Sequence, residues 1–261
     1  MKNTLKEKMK TRPVFGMTIY SGSAAVVEAL GHIGFDFAFI DAEHSPLEVT
    51  DLREIILGAR LAGVSPLVRV TRPDEIEIRK AFEMGAEGVI VPHVRTKEDA
   101  EICVRGAKFP PIGRRGYDST VRSANYGFAN FNAGEYIENS NGTELVIPMA
   151  EDFEFMDNIK EIFEVNGLDV INFGPADFAL SKNIRIFYDM SQEDVQKAMK
   201  EISEKCNEKG MGLMAPAVPP TKENIEALIA KGVNMIICGS DMYNYQSAAS
   251  AIKKNAIDKI I

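Results

Sequence analysis

Short apolar runs recur along the chain, and a longer segment with helical periodicity follows each of them. The runs are apolar at successive positions instead of alternating, which is typical of strands that are covered on both faces, as in a parallel sheet. We predict eight such strands, at Phe15–Ile19, Asp36–Ile40, Pro66–Val70, Gly88–Pro92, Leu145–Met149, Asp169–Phe173, Gly212–Pro216 and Met235–Cys238.

The intervening segments carry the apolar stripe of amphipathic helices. Two faces are clearest: Leu52, Ile55, Ile56 and Ala59, ended by Gly63, and Ile225, Leu228, Ile229 and Val233, with Gly232 as a C-terminal cap. Eight strands alternating with helices predict one (β/α)8 TIM barrel over residues 1–261. A doubly wound open sheet is the alternative, but it would call for a glycine-rich fingerprint after the first strand, and Gly16-Met17-Thr18-Ile19 supplies none.

One connection is much longer than the others. After a predicted helix over Lys97–Ala107, the segment KFPPIGRRGYDSTVRSANYGFANFNAGEYIENSNG precedes the fifth strand. A connection of this length in a compact domain usually serves a purpose, so we predict that it forms a lid or a contact surface.

Composition excludes several classes of function. The chain has 30 basic and 38 acidic side chains and a formal charge of −8, whereas nucleic-acid binding calls for a basic surface. No apolar run approaches the roughly 20 residues that cross a bilayer, and the charged first ten residues lack the apolar stretch of a signal peptide. Cys103, Cys206 and Cys238 form no CxxC motif, so we expect free thiols in a cytoplasmic protein.

In a barrel of this type, catalytic residues lie at the C-terminal ends of the strands. The polar residues at or just after these ends are Asp41, Glu43, His44, Arg69, His93, Glu151, Asp177, Ser240 and Asp241. No lysine is among them, and Lys182 lies inside the helical segment after strand six, which argues against Schiff-base chemistry.

Enzymes that form an enolate from a carbonyl substrate can use a divalent cation, held by carboxylates, in place of a Schiff base. Glu151 and Asp177 follow adjacent strands and suit oxygen-liganded Mg²⁺ or Mn²⁺ better than tetrahedral zinc. Each residue also has a structural alternative, because Asp177 could cap the helix that follows it and Arg69 could be an ion-pair partner. Spacing alone leaves these alternatives open, and it leaves a role for His93 open as well.

Five stretches, in this order, resemble the HpcH/HpaI aldolase family of metal-dependent pyruvate aldolases. They are GFDFAFIDAEHSP (34–46), PLVRV (66–70), GAEGVIVPHV (85–94), PPIGRRG (110–116) and VINFGPADFALS (170–181). The resemblance covers nearly the whole chain, from Phe15 to about Tyr245, and implies a barrel of the phosphoenolpyruvate/pyruvate-domain type.

The resemblance also implies roles for single residues. Glu151 and Asp177 match the ligands of a divalent ion (Mg²⁺ or Mn²⁺, with Co²⁺ also possible), and Arg69 matches the group that holds the enolate oxygen. His44, oriented by Asp41, matches the catalytic base. The turn Gly174-Pro175-Ala176 matches the segment whose backbone N–H groups bind the pyruvate carboxylate, a task that suits a helix N-terminus.

The implied reaction is the reversible cleavage of a 4-hydroxy-2-oxo acid into pyruvate and an aldehyde. The implied assembly is a homo-oligomer, a hexamer in related proteins, in which a C-terminal helix at about 241–258 is exchanged between neighbours. Two positions depart from the family pattern: Thr18 stands where a tryptophan is usual, and Met149 stands where a glutamine is frequent.

Other functions remain compatible with the sequence. The first is another enolate enzyme on the same barrel, such as a citrate-lyase-like or citramalyl-CoA lyase or a condensing enzyme that uses oxaloacetate. A CoA ester would need a basic groove for its phosphates, and Arg114, Arg115 and Arg122 are the candidates. The second is a non-catalytic binding protein that retains the pocket.

Overall fold

The computed structural model describes residues 4–128, 130–185 and 190–260. Within these residues, eight parallel strands close into a barrel in chain order, which confirms the predicted (β/α)8 fold. Every strand begins and ends within two residues of its predicted position. The strands are β1 (Val14–Ile19), β2 (Phe37–Asp41), β3 (Ser65–Arg69), β4 (Gly88–Val91), β5 (Leu145–Ala150), β6 (Val170–Phe173), β7 (Gly212–Pro216) and β8 (Met235–Ser240).

Helices separate the strands. They are α1 (Leu5–Thr11), α2 (Ala24–Ile33), α3 (Val49–Ala62), α4 (Glu75–Met84), α5 (Lys97–Ala107), α6 (Ala133–Thr143), α7 (Phe153–Asp157), α8 (Ile159–Ile162), α9 (Pro175–Ser181), α10 (Glu193–Lys209), α11 (Lys222–Ala230) and α12 (Asp241–Asn255), with 3₁₀ turns at Arg122–Gly127 and Ile257–Lys259. The predicted helix over Lys97–Ala107 is confirmed, and Gly63 ends α3 in a left-handed conformation (φ 75°). None of the helices in the described ranges has both the length and the apolar character that crossing a membrane requires.

Strand side chains alternate between two apolar layers. Inward-facing residues such as Phe37, Leu67 and Ile147 fill the barrel, and outward-facing residues such as Val68 and Ile171 pack under the helices. Because both faces of each strand are covered, the sequence shows continuous apolar runs. Helix α1 closes the N-terminal end of the barrel. Its buried apolar residues, Leu5 and Met9, belong to the inner layer.

The long connection before β5 packs at the N-terminal end of the barrel. Lys108 donates to the carbonyl oxygen of Glu144 at 2.5 Å and lies 3.0 Å from Asp169, and these two residues immediately precede β5 and β6. The buried Arg115 is 2.5 Å from the carboxylate of Glu144. This end is opposite the C-terminal strand ends, so the lid prediction is wrong for the described part of the segment, while the contact-surface alternative stays a prediction.

The C-terminal helix is present as predicted, with α12 ending at Asn255 and a 3₁₀ turn following it. All of α12 is described, and none of its residues is buried within one subunit. Three large apolar side chains on it are mainly exposed: Met242, Tyr245 and Ile252. Exchange of this helix between subunits stays a prediction.

Candidate active site

Arg69 and Asp41 form a buried pair at the C-terminal edge of the barrel. They are register partners on β3 and β2, and Arg69 Nε donates to Asp41 Oδ1 at 3.0 Å while Nη2 donates to Oδ2. The guanidinium also lies over the ring of Phe39, 5.4 Å from its centroid. Burial lowers the pKa of Arg69, but the hydrogen bonds and charge of Asp41 outweigh this effect and raise it. The result is a fixed, charged fork at the C-terminal edge of the barrel.

Glu43 connects this pair to the next strand end. Its Oε2 lies 2.9 Å from Arg69 Nη1, and its Oε1 lies 3.3 Å from His93 Nε2. Glu43 Oε2 is buried and has no hydrogen-bond partner among the described residues. Its contact with Arg69 Nη1 is therefore an ion pair without hydrogen-bond geometry. Burial raises the pKa of the Glu43 carboxyl despite the nearby cationic groups.

His93 links Glu43 to the carboxylates after β5. Its backbone N–H donates to Glu151 Oε1 at 2.8 Å, and its Nδ1 is 3.0 Å from Asp152 Oδ2. Asp152 in turn is 3.1 Å from Nε of Arg95. Burial is the main reason that the pKa of Glu151 is raised to about 7, although the His93 N–H opposes the shift. Glu151 is therefore a carboxylate that a cation would strongly stabilise in its ionised form.

The other side of Glu151 faces the turn between β6 and α9. A side chain at Gly174 would place its Cβ 2.9 Å from Glu151 Cβ and 3.0 Å from Oε2, so the close approach requires glycine. Gly174 is also the N-cap of α9, and no side chain caps this helix. Asp177 lies in the first turn, so the alternative that it serves as the N-cap is wrong.

The carboxylates fit a hard divalent cation that keeps open coordination positions. Glu151 follows β5 and Asp177 follows β6, and both supply oxygen, the donor that Mg²⁺ and Mn²⁺ prefer. Across the described ranges, no group of three or more His, Cys, Asp or Glu side chains is arranged to hold a metal ion. A cation here would therefore take its remaining ligands from water or substrate, as in catalytic sites with exchangeable positions.

His44 is placed differently from what the sequence predicted. Asp41 Oδ1 accepts hydrogen bonds from the backbone N–H groups of Glu43 at 2.9 Å and His44 at 3.2 Å, so Asp41 fixes the main chain of this loop. The His44 side chain is 59% exposed, and its Nε2 lies 3.8 Å from Glu43 Oε2. The carboxylate of Asp41 thus accepts hydrogen bonds from the buried guanidinium of Arg69 and from the loop backbone, and it forms no hydrogen bond or ion pair with the imidazole of His44. The base role of His44 stays a prediction.

Several polar residues at this end were missed or left open by the sequence. Asp152 contacts His93, and Arg95 in turn contacts Asp152. The only signal for them in the sequence was that Asp152 follows Glu151 and that Arg95 lies two residues after His93.

Asn172 is buried on β6 in register with Met149, and its Oδ1 has no hydrogen-bond partner among the described residues. Met149 itself is buried, with its sulfur 3.9 Å from Arg69 Nη1.

The three arginines considered for a CoA ester do not gather at this edge. Arg115 is buried against Glu144, and the backbone of Arg114 is bonded to that of Arg105 in the last turn of α5. Arg122 lies beside Gly85, which ends α4 just before β4. All three are therefore near the N-terminal end of the barrel, away from Arg69.

Comparison with known proteins gives consistent matches over nearly the full chain. The sequence profile of the HpcH/HpaI aldolase/citrate lyase family matches residues 15–248. A 2-dehydro-3,6-dideoxy-6-sulfogluconate aldolase from Pseudomonas putida is 30% identical, covering 94% of this chain and 92% of that protein. A hydroxypyruvate/pyruvate aldolase from Paraburkholderia phytofirmans is 31% identical, covering 86% and 88%. The crystal structure of citrate synthase SbnG superposes with a TM-score of 0.85 at 30% identity, covering 98% and 100%.

Proposed function

Because the chain belongs to the HpcH/HpaI aldolase/citrate lyase family, we propose that it is a carbon–carbon lyase that reversibly cleaves a 4-hydroxy-2-oxo acid into pyruvate and an aldehyde. The observation that carries this proposal is the convergence of a fixed guanidinium, Arg69, with a buried carboxylate, Glu151, at one barrel edge. A cationic hydrogen-bond donor and a carboxylate that can bind a metal ion, at the same edge of the barrel, suit the stabilisation of an enolate.

Arg69 would bind the C2 oxygen of the substrate as negative charge develops on it. Its Nε and Nη2 are occupied by Asp41, so the fork is already oriented before substrate arrives. Donors that need no reorientation stabilise a developing oxyanion most effectively. Asp41 is therefore a positioning residue in this scheme.

Glu151 and Asp177 would hold the divalent cation, Mg²⁺ or Mn²⁺ with Co²⁺ as a further possibility. When bound, such an ion acts as a Lewis acid that polarises the 2-oxo group. The Gly174-Pro175-Ala176 turn would receive the substrate carboxylate at the N–H of Ala176, because the Gly174 N–H donates to the carbonyl oxygen of Ala150 and Pro175 has no N–H. The first amides of a helix have no partner within the helix, and its N-terminus is electropositive.

His44 would accept the proton of the C4 hydroxyl. Its side chain is exposed on the loop after β2, where it can reach an incoming substrate, and its Nε2 lies 3.8 Å from Glu43 Oε2. Loss of this proton breaks the C3–C4 bond and releases the aldehyde, leaving the enolate of pyruvate beside Arg69. Protonation of the enolate then completes the reaction.

A Schiff-base route finds no support in the lysine nearest to the strand ends. The amine of Lys182 lies 5.8 Å from the ring centroid of Phe153, and the residue is exposed. A lysine that attacks a carbonyl needs a desolvated position or a neighbouring cation that lowers its pKa.

A second candidate is the condensation of the enolate with a second 2-oxo acid, such as oxaloacetate, in place of an aldehyde. The observation that favours it is the full-length similarity to the solved citrate synthase. A citramalyl-CoA-type lyase is less well supported, because the arginines considered for its phosphates lie at the opposite end of the barrel. A non-catalytic binding protein would have no need for the buried charges of Arg69 and Glu151.

We also propose that the single barrel domain works as a homo-oligomer, with a hexamer as the expectation from the family resemblance. The apolar residues of α12 that one subunit leaves exposed, among them Met242, Tyr245 and Ile252, would pack on a neighbouring copy. The cytoplasm remains the proposed compartment, where Cys103, Cys206 and Cys238 would stay reduced.

An assay of pyruvate release tests the proposed reaction. The full chain, supplied with Mg²⁺ or Mn²⁺, is incubated with a panel of 4-hydroxy-2-oxo acids that differ only beyond C4, and pyruvate is measured by a coupled dehydrogenase. We expect release from at least one compound, and loss of release in Glu151→Gln. Pyruvate release that is the same in both proteins would contradict the assignment of the site.

A further inference from the structure

His93 has a backbone conformation that is rare for a residue with a side chain. Its φ is 52°, in the left-handed region, and it lies two residues after β4 ends. Non-glycine residues keep such a conformation where surrounding contacts enforce it, and they cluster at functional sites. Here the imidazole is held on both nitrogens, with Nδ1 3.0 Å from Asp152 Oδ2 and Nε2 3.3 Å from Glu43 Oε1.

This conformation directs the backbone N–H of His93 at the neighbouring strand end. The N–H donates to Glu151 Oε1 at 2.8 Å, and β4 and β5 are paired neighbours in the barrel. Glu151 Oε2 lies on the other side, against Gly174 and toward the turn that carries Asp177. The two oxygens of Glu151 are therefore distinguished before any ligand binds.

We propose that His93 is a positioning residue for the cation site: its left-handed backbone commits Glu151 Oε1 to a hydrogen bond and leaves Oε2 as the one oxygen that Glu151 offers to the ion. The inference rests on the proposed function, because it assumes that Glu151 is a metal ligand. A carboxylate restricted to one oxygen suits the compact octahedral shell of Mg²⁺ or Mn²⁺. It is less suited to Ca²⁺, which often takes both oxygens of a glutamate.

The two parts of His93 have separable roles in this arrangement. The backbone N–H restrains Glu151, while the imidazole contacts Glu43 and Asp152 and holds the backbone in place. Asparagine tolerates the left-handed region without the imidazole, whereas a β-branched residue such as valine strongly disfavours it. A comparison of these two substitutions therefore isolates the contribution of the backbone.

The test measures Mn²⁺ and Ca²⁺ binding to the metal-free full chain by calorimetry, for wild type, His93→Asn and His93→Val. Because a hydrogen bond to a charged group is lost only in the valine variant, we expect its Mn²⁺ affinity to fall by about tenfold or more. His93→Asn should stay within about threefold of wild type, since Asn keeps the turn. The preference for Mn²⁺ over Ca²⁺ should shrink in His93→Val alone.

Equal Mn²⁺ affinities in the two variants, whether both unchanged or both reduced, would overturn the role of the backbone. If His93→Val does not fold, as judged by its circular dichroism, the amide exchange rate of residue 93 gives the second measurement. In the metal-free protein this rate should rise by about tenfold or more in Glu151→Ala, where the acceptor is missing. An unchanged rate would overturn the inference while leaving the proposed function intact, whereas wild type that binds no Mn²⁺ would overturn both.

Discussion

Arg69 and Asp41 face each other in register across β3 and β2, and Asp41 takes up two of the donors of the Arg69 fork. The third side of the guanidinium, Nη1, is directed toward Glu43 and the sulfur of Met149. The pair is buried, so neither charge is screened by bulk water. This arrangement makes Arg69 a rigid donor at the C-terminal edge of the barrel and leads to the first prediction.

Arg69→Lys should reduce turnover by roughly two or more orders of magnitude, because an ammonium cannot reproduce the planar fork and an oxyanion donor contributes about 2.7–4 kcal/mol. Turnover of pyruvate-releasing cleavage is the measurement, with thermal unfolding followed in parallel. An ion pair with a purely structural role would show the opposite pattern, with lower thermal stability and turnover near that of wild type.

Glu151→Gln or Asp177→Asn should abolish Mn²⁺ binding in calorimetry and leave the far-UV circular dichroism unchanged. The expectation follows from the removal of one of two anionic oxygen ligands. Glu144→Gln is the matched control, since Glu144 is a buried carboxyl whose pKa burial raises to about 7, but it lies at the opposite end of the barrel. Tight Mn²⁺ binding by the Glu151→Gln/Asp177→Asn double variant would place the cation elsewhere.

The metal-free protein should lose stability as the pH rises from about 4.5 to 7. Burial raises the pKa of Glu151 from 4.5 to about 7, so the folded state binds more protons than the unfolded state in this window. The contribution of this group is therefore fully present below pH 4.5 and is lost as the pH passes 7. Thermal unfolding across this range should show a shallower decline in Glu151→Gln, and identical slopes in the two proteins would contradict the assignment.

Asn172→Leu should increase the free energy of unfolding by about 1–3 kcal/mol, because it removes a buried carboxamide oxygen that has no hydrogen-bond partner among the described residues. Its register partners on the adjacent strands, Met149 and Met214, are apolar and would pack against leucine. Denaturant unfolding of the metal-free protein measures the change. A clear loss of stability would show that the amide has a partner in solution, such as a bound water.

The sequence predicted the barrel well because its strands are covered on both faces. Residues such as Phe37 and Val68 point to opposite layers yet are both apolar, so each strand appears as an uninterrupted run. The predicted strand ends also identified Arg69 and Glu151 as candidate site residues, because catalytic residues in such a barrel lie at the C-terminal ends of its strands.

Contacts between loops could not be predicted from the sequence. The left-handed backbone of His93 and its bond to Glu151 depend on how the loops after β4 and β5 meet, and no local pattern encodes that meeting. The same holds for Asp41, whose carboxylate turned out to serve Arg69 and the loop backbone. For the long connection before β5, the sequence left a lid and a contact surface as alternatives, because the length of a connection shows nothing about the end of the barrel on which it folds.

Exchange of the methyl protons of pyruvate tests the central claim most directly, because it detects the enolate without any knowledge of the aldehyde. In D₂O with Mg²⁺ or Mn²⁺, proton NMR should show the methyl signal decaying faster than without enzyme. Chelator should stop this decay, and both Arg69→Lys and His44→Ala should slow it strongly. Decay that continues undiminished in chelator would contradict the cation-dependent enolate, and the absence of exchange with pyruvate at any concentration of cation would contradict the pyruvate lyase itself.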